Sequence, residues 1–125
     1  MKTSIIGCDY FNDYQVLKWK LDELKVSCIY TCSNGKIDKL AARYAKENNI
    51  QYINFWTEVE VEERWFQSWR QYYKLLESGD VLLAFWYGES NGITGIVDKA
   101  RRMGKEVIIV RGYHPGANIP KSFED

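Results

Sequence analysis

The sequence predicts a single α/β domain, a Rossmann-like three-layer sandwich in which helices cover both faces of a five-stranded, mostly parallel sheet. Five short apolar runs alternate with four segments at helical spacing along the 125 residues. The run at 81–86 is apolar without interruption, which is typical of a central parallel strand. This alternation favours the strand order 3-2-1-4-5, with the domain over 1–112 and an irregular tail over 113–125.

The first two strands and the helix between them follow from short patterns. Residues 4–8 and 26–31 are apolar runs of strand length. Asn12 is a good N-cap for the helix, and Gln15 stands three residues later, as in a capping box. The helix then carries an apolar stripe made of Tyr14, Leu17, Leu21 and Leu24.

The second helix has the clearest amphipathic pattern in the chain. It follows the turn at 33–36, and its apolar stripe consists of Ile37, Leu40, Ala41, Tyr44 and Ala45. The pattern ends at Asn48-Asn49, where asparagine can adopt a left-handed cap. Residues 50–54 then predict a weaker third strand.

The second half of the chain repeats this alternation. Residues 57–64 are acidic and lack a period, so they predict either a loop or the first turn of a helix. Helical spacing continues through Trp65, Trp69, Tyr72 and Leu76. The fourth strand at 80–86 is followed by a helix over 92–103, which stops at Gly104, and by a last strand over 106–110.

Composition argues against several classes of protein. Seventeen basic residues balance seventeen acidic ones without long runs of like charge, so nucleic acid is not expected as a partner. Three cysteines and a single histidine, His114, predict neither a disulfide framework nor a metal site, and no cofactor is expected. The apolar start is too short for a signal peptide, and no stretch approaches the ~20 apolar residues of a membrane span. We therefore expect a cytoplasmic protein.

Three loops are expected to meet at the edge of the sheet where ligands bind in this fold class. That place lies beyond the carboxyl ends of the strands, where the strand order reverses between the first and fourth strands. Glycine lets the backbone approach a ligand, and each loop leads into a helix whose free amides and dipole favour a phosphate. The loop residues predicted to bind are Gly7, Cys8, Asp9, Tyr10 and Phe11; Ser33, Asn34, Gly35 and Lys36; and Gly88, Glu89, Ser90, Asn91, Gly92, Ile93 and Thr94.

Each of these features also has a purely structural interpretation. Glycine, serine and asparagine end strands and cap helices in many proteins that bind nothing there. Asp9 and Glu89 are either a catalytic carboxylate pair or polar turn residues. Trp86 either stacks on a base or closes the core. Arg70 and Arg111 either clamp a phosphate or form surface ion pairs.

Several motifs recur together in one known group of proteins. Asp80 opens the apolar run that ends in Phe85-Trp86, and Gly88-Glu89-Ser90-Asn91-Gly92-Ile93 follows it. Gly7-Cys8-Asp9-Tyr10-Phe11 and Lys36-Ile37-Asp38-Lys39-Leu40-Ala41, with Tyr44-Ala45, accompany this motif. Over about residues 4–112 the chain resembles the SLOG superfamily, the Rossmann-like group that contains the LOG and Smf/DprA proteins, and in particular its small YspA-like branch. The resemblance implies a Rossmann-like fold and adds Asp38 to the binding residues.

The chain departs from the family pattern at several positions. Ile93 stands where the branch has a threonine, Gly35 is displaced by one position, and Arg70 comes one residue before the usual place of an Arg-Asn pair. The Pro-Gly-Gly-x-Gly-Thr and glutamate pattern of LOG-type phosphoribohydrolases is absent from the sequence. The resemblance therefore implies ligand binding more than turnover.

Taken together, these features predict a protein that binds, and thereby senses or sequesters, a nucleotide-derived small molecule such as an ADP-ribose-type or cyclic nucleotide. SLOG relatives are associated with nucleotide signals in bacterial and phage conflict, which makes sequestration of such a signal a specific form of this expectation. One alternative is a nucleotide or N-glycosidic hydrolase that uses Asp9 or Glu89. Another is a protein-interaction module formed by the acidic segment 58–63 and the aromatic helix 65–76. That helix also predicts a homodimer or a higher homo-oligomer.

Overall fold

The structure is a computed structural model that describes residues 1–8, 11–33, 35–56, 61–87 and 91–112. Its strands are β1 (Lys2–Gly7), β2 (Cys28–Thr31), β3 (Gln51–Asn54), β4 (Val81–Tyr87) and β5 (Glu106–Gly112). Its helices are α1 (Tyr14–Leu24), α2 (Lys36–Glu47), α3 (Val61–Ser78) and α4 (Asn91–Arg102).

All five strands are parallel and lie in the order β3-β2-β1-β4-β5. The predicted fold class and strand order are therefore confirmed. β4 lies between β1 and β5, and each residue from Val81 to Phe85 is at most 1% exposed. Because both faces of this strand are covered, no position between 81 and 85 favours a polar side chain.

Helices cover opposite faces of the sheet, as the alternating residues of β1 show. Ser4 faces α3, and its Oγ donates a 2.6 Å hydrogen bond to the backbone oxygen of Leu75. Gly7 lies on the other face, against Ile37 in the first turn of α2. α1 packs beside α2, while α4 covers β4 and β5. The result is the three-layer arrangement that the sequence predicts.

The connection between α3 and β4 passes very close to β1. A Cβ at Gly79 would lie 2.9 Å from the backbone nitrogen of Ser4, so a side chain does not fit there. The next residue is held in place as well, because the backbone nitrogen of Asp80 donates a 2.8 Å hydrogen bond to the oxygen of Lys2. This close approach fixes the end of α3 against the sheet.

The start of α1 differs from the sequence prediction. Asp13, and not Asn12, caps the helix, since its Oδ1 accepts a 3.2 Å hydrogen bond from the backbone nitrogen of Val16. The predicted capping box of Asn12 and Gln15 is wrong because the helix begins one residue later than that box requires. An Asn-Asp pair offers two suitable caps, and the local pattern does not distinguish them.

The other helix ends match the prediction more closely. Asn49 has a φ of 54° and Gly104 a φ of 76°, which confirms the left-handed ends predicted at both places. β5 runs beyond the predicted 106–110 as far as Gly112, because its ladder with β4 continues to that residue.

α3 is 18 residues long, and its described side chains divide between the sheet and the outside. Gln71, Leu75 and Leu76 are buried, whereas Arg70 and Tyr73 are exposed. One face of this part of the helix therefore packs on the sheet and the other faces outward. Within the described ranges, no helix combines the length and the apolar character needed to cross a membrane.

Candidate functional site

Three chain segments meet at Gly7, where the strand order reverses between β1 and β4. Gly7 pairs with Phe85 of β4, and the backbone nitrogen of Cys8 donates a 3.1 Å hydrogen bond to the oxygen of Phe85. A Cβ built on Gly7 would lie only 3.0 Å from both Cβ and Cγ1 of Ile37. The first turn of α2 thus rests directly on the end of β1. The ends of the first two predicted loops therefore meet at this junction, and β4 continues beside it from Phe85 to Tyr87, where the third loop begins.

The loop between β2 and α2 is anchored by the carboxylate of Asp38, which is only 4% exposed. Asp38 Oδ2 accepts a hydrogen bond from the hydroxyl of Ser33 and a 2.7 Å bond from the backbone nitrogen of Gly35. From the other side, Asn54 Nδ2 donates a 2.9 Å bond to the backbone oxygen of Ser33. Ser33 and Gly35 are therefore held in place by groups of this chain.

The same hydrogen bonds define what this loop can offer an anion. The amide of Gly35 is already used by Asp38, so it is not open to a phosphate. By helix geometry, the amides of Lys36, Ile37 and Asp38 have no carbonyl partner within α2 and add to its positive end. The Asp38 carboxylate offsets part of that field, because it is buried and little screened by water. Binding of an anion at the start of α2 thus depends on the positive charge of Lys36, which is exposed.

The three cysteines of the chain are buried thiols. Cys8, Cys28 and Cys32 form no disulfide, and none is more than 7% exposed. Burial, and secondly the charge of Asp38, raises the pKa of the Cys32 thiol above its usual value. Cys32 is therefore a neutral packing group at physiological pH and not a nucleophile. Among the described residues, no cluster of histidine, cysteine, aspartate or glutamate is arranged to hold a metal ion.

Some of the predicted binding residues lie in the core. Phe11 is fully buried, with its ring centroid 4.5 Å from that of Phe85, and Ile93 is 4% exposed. Cys8 is 7% exposed and belongs to the same cluster. Only the backbone of these three residues is in a position to reach a ligand at the rim. Their side chains support the loops from below.

Other predicted residues lie at the surface. Thr94 and Arg70 are exposed, the latter in the middle of α3. Trp86 is half-buried at the end of β4, and the Arg111 guanidinium carbon lies 4.6 Å from the centroid of its ring. Trp86 therefore packs partly against the core, while its stacking on a base stays a prediction.

Several predicted residues fall where the structure gives no description. Asp9, Tyr10, Asn34, Gly88, Glu89 and Ser90 lie outside the described residues, as do Glu58 and Glu60 of the acidic segment, His114 and the tail. Asn91 and Gly92 are described by their backbone, which forms the start of α4. The proposed carboxylate pair is therefore a prediction that rests on the sequence.

The structure also contains a pocket that the sequence analysis does not predict. It has a volume of about 220 Å³ and lies between α4 and the ends of β4 and β5. Its lining consists of Trp86, Thr94, Val97, Asp98, Arg101, Ile109 and Arg111. The spacing of Thr94, Asp98 and Arg101 by four and three residues is the signal that the sequence offers for it, since such residues share one helix face.

Comparisons with protein-family models, with curated proteins and with solved structures give no match to this chain. The likeness to the SLOG superfamily therefore rests on the motifs in the sequence.

Proposed function

We propose that the protein binds a nucleotide-derived small molecule, such as an ADP-ribose-type or cyclic nucleotide, and that it senses or sequesters this molecule. The binding place is the rim where β1 and β4 diverge. One observation carries the proposal: Gly7 lies between Phe85 of β4 and Ile37 of α2, so the three elements that carry the polar loops lie side by side there. Open parallel sheets bind ligands at this kind of reversal point.

The parts of the rim suit different parts of a nucleotide. The start of α2, with Lys36, offers amides and a positive charge to a phosphate. The exposed part of the Trp86 ring offers a flat apolar surface to a base. Nucleotide sites commonly combine backbone amides or a cation for the phosphate with an aromatic surface for the base.

Membership of the SLOG superfamily is part of the proposal. The motif over 80–93 and the helix motif over 36–45 support it, and the strand order is the one expected for a Rossmann-like fold. Because the catalytic pattern of LOG-type phosphoribohydrolases is absent from the sequence, binding without turnover is the preferred function.

The experiment is retention of a nucleotide from a mixed panel. The protein is incubated with ADP-ribose, cyclic ADP-ribose isomers and cyclic mono- and dinucleotides, separated from free ligand, denatured and analysed by mass spectrometry. Intact ligand released on denaturation supports the proposal. Release of a free base or a cleaved phosphate supports the hydrolase that uses Asp9 or Glu89. If nothing is retained and nothing is cleaved, the nucleotide proposal is wrong and the protein-interaction module takes its place.

A lysine variant tests the place of binding. Lys36→Ala removes the cation at the start of α2 and should weaken the affinity for the retained nucleotide about threefold to tenfold. It should leave the thermal stability unchanged or slightly higher, since a cation is unfavourable at the amino end of a helix. Lys46→Ala, in the last turn of the same helix, is the matched control and should keep full affinity. Equal affinities of the two variants in calorimetry would remove Lys36 from the site.

A further inference from the structure

The pocket between α4 and β5 has largely polar, exposed walls and a buried apolar floor. Val97 and Ile109 form an apolar floor, being 1% and 8% exposed. Thr94, Asp98 and Arg101 form one polar wall, and all three are exposed. The opposite wall consists of Trp86 and Arg111, at the ends of β4 and β5. An apolar floor with a few convergent polar groups is one feature of small-molecule sites.

Both walls follow from regular secondary structure. Thr94, Asp98 and Arg101 are four and three residues apart, so they form a single stripe along α4. Trp86 and Arg111 are paired residues of the β4–β5 ladder, and their side chains therefore lie on the same face of the sheet. The Arg111 guanidinium carbon lies 4.6 Å from the centroid of the Trp86 ring, and this contact restrains the position of the guanidinium group. The geometry of the pocket thus depends on rigid elements rather than on loops.

The charges of the pocket select a particular kind of ligand. Arg101 and Arg111 present planar groups of N–H donors, which suit the oxygens of a phosphate. Asp98 is an acceptor and would repel a bare anion, but it suits a hydroxyl group carried next to the phosphate. Of the charged side chains that line the pocket, two are positive and one is negative, which favours a phosphate that brings its own hydroxyl donors.

We propose that this pocket binds a sugar phosphate, with Arg101 and Arg111 on the phosphate and Asp98 on a sugar hydroxyl. Its volume of about 220 Å³ suits one such group. Sites that enclose larger ligands measure about 300–1,000 Å³, so a whole dinucleotide does not fit. The sugar phosphate comes either as a free metabolite or as the end of a larger nucleotide; only the second source rests on the proposed function.

The exposure of the charged walls sets the expected strength of binding. Arg101, Asp98 and Arg111 are all exposed, so water and salt screen their attraction for an anion. Binding should therefore be weak and should fall as the salt concentration rises. Titrations at low ionic strength are the appropriate measurement.

The first test is calorimetric titration with ribose 5-phosphate, with ribose and inorganic phosphate as reference ligands. The wild type should bind ribose 5-phosphate more tightly than either reference. Arg101→Gln should weaken this binding at least about fivefold, because it removes a charge-assisted contact. Arg102→Gln is the matched control: it removes the next arginine of α4, which is exposed but does not line the pocket. Equal affinities of the two variants would overturn the proposal.

The second test is one substitution that should change the affinities for two ligands in opposite directions. Asp98→Asn should weaken the binding of ribose 5-phosphate, because the hydroxyl loses its charged acceptor, and should strengthen the binding of inorganic phosphate, because a repelling charge is gone. A change of the same sign for both ligands would contradict the assigned role of Asp98. Melting temperatures of all variants should stay close to the wild type, since the substituted side chains are exposed.

A third titration, with ADP-ribose, distinguishes the two sources. If Arg101→Gln weakens ADP-ribose binding as well, the pocket holds the end of the larger ligand. If only ribose 5-phosphate responds, the pocket serves a free sugar phosphate. If neither ligand responds to the substitution, the pocket proposal fails even where ADP-ribose binds. Failure of the proposed function is a different result, in which no nucleotide of the panel is retained whatever ribose 5-phosphate does.

Discussion

At the scale of single residues, Gly7 is the position on which the rim depends. An alanine there would bring a Cβ to 3.0 Å from two side-chain carbons of Ile37, one of which is fixed to the backbone of α2. The start of the helix must then move, so Gly7→Ala should destabilise the protein by about 1–3 kcal/mol in urea unfolding. Nucleotide retention should fall as well, because the amides of α2 leave their place.

A second glycine provides the control for that substitution. Gly95 lies within α4, and a Cβ there would meet nothing within 4 Å. Gly95→Ala should therefore stabilise the protein by up to about 1 kcal/mol, since alanine is a better helix former. If both variants unfold at the same urea concentration, close packing is not the reason for the glycine at position 7.

At the scale of elements, α1 and α2 are joined by a polar contact whose contribution to stability depends on pH. The hydroxyl of Tyr44 donates a 2.6 Å hydrogen bond to Asp22 Oδ1, and Lys18 Nζ lies 2.9 Å from the other carboxylate oxygen. The bond from Tyr44, and secondly the bond from Lys18, holds the pKa of Asp22 below its ordinary value of 3.8. A lowered pKa in the folded state means that the contact stabilises the fold above pH 3.8 and is lost as the pH falls through the folded pKa.

Removal of the tyrosine hydroxyl should reveal this dependence. Tyr44→Phe should lower the melting temperature by a few degrees at pH 7, because a hydrogen bond to a charged group is lost. The difference in melting temperature between Tyr44→Phe and the wild type should shrink once the pH falls below 3.8, the ordinary pKa of an aspartate. Tyr73→Phe is the control, since Tyr73 is 45% exposed and keeps its ring beside Lys99. A difference that stays constant down to pH 2 would disprove the link to Asp22.

At the scale of the whole molecule, the predicted homodimer through α3 stays a prediction. Tyr73 is an exposed aromatic residue on that helix, and Trp19, on α1, is another exposed ring at 50%. Tyr73→Asp should dissociate the dimer in size-exclusion chromatography with light scattering, because a charge is placed in an apolar contact. Trp19→Asp should leave it intact. A monomeric wild type, or a dimer that survives Tyr73→Asp, would show that this face of α3 is not the interface.

The sequence predicts the fold well because the signals of this fold are local. The uninterrupted apolar run over 81–86 identifies the central strand. Gly104 marks a helix end because glycine readily adopts the left-handed conformation that it has there. The cap at Asp13 escapes such reasoning, since the choice between two adjacent caps depends on where the helix packs. Local patterns therefore give element types more reliably than their exact ends.

The candidate site is predicted less completely, because it depends on contacts between distant parts of the chain. That Ser33 and Gly35 are engaged by Asp38 follows from the fold of one loop, and the tie from Asn54 needs the neighbouring strand. The burial of Phe11 against Phe85 likewise depends on how β1 and β4 pair. The pocket at Arg101 requires the register of β4 and β5, which no local pattern contains.

The ties from Asp38 and Asn54 also bear on how fast a ligand would associate. A segment that is fastened before its ligand arrives has little freedom left to lose, so the entropic penalty at Ser33 and Gly35 is met when the chain folds. Ser33 and Gly35 should then contribute no slow rearrangement after the encounter. For the proposed sequestration of a nucleotide, such prompt uptake would matter as much as equilibrium affinity.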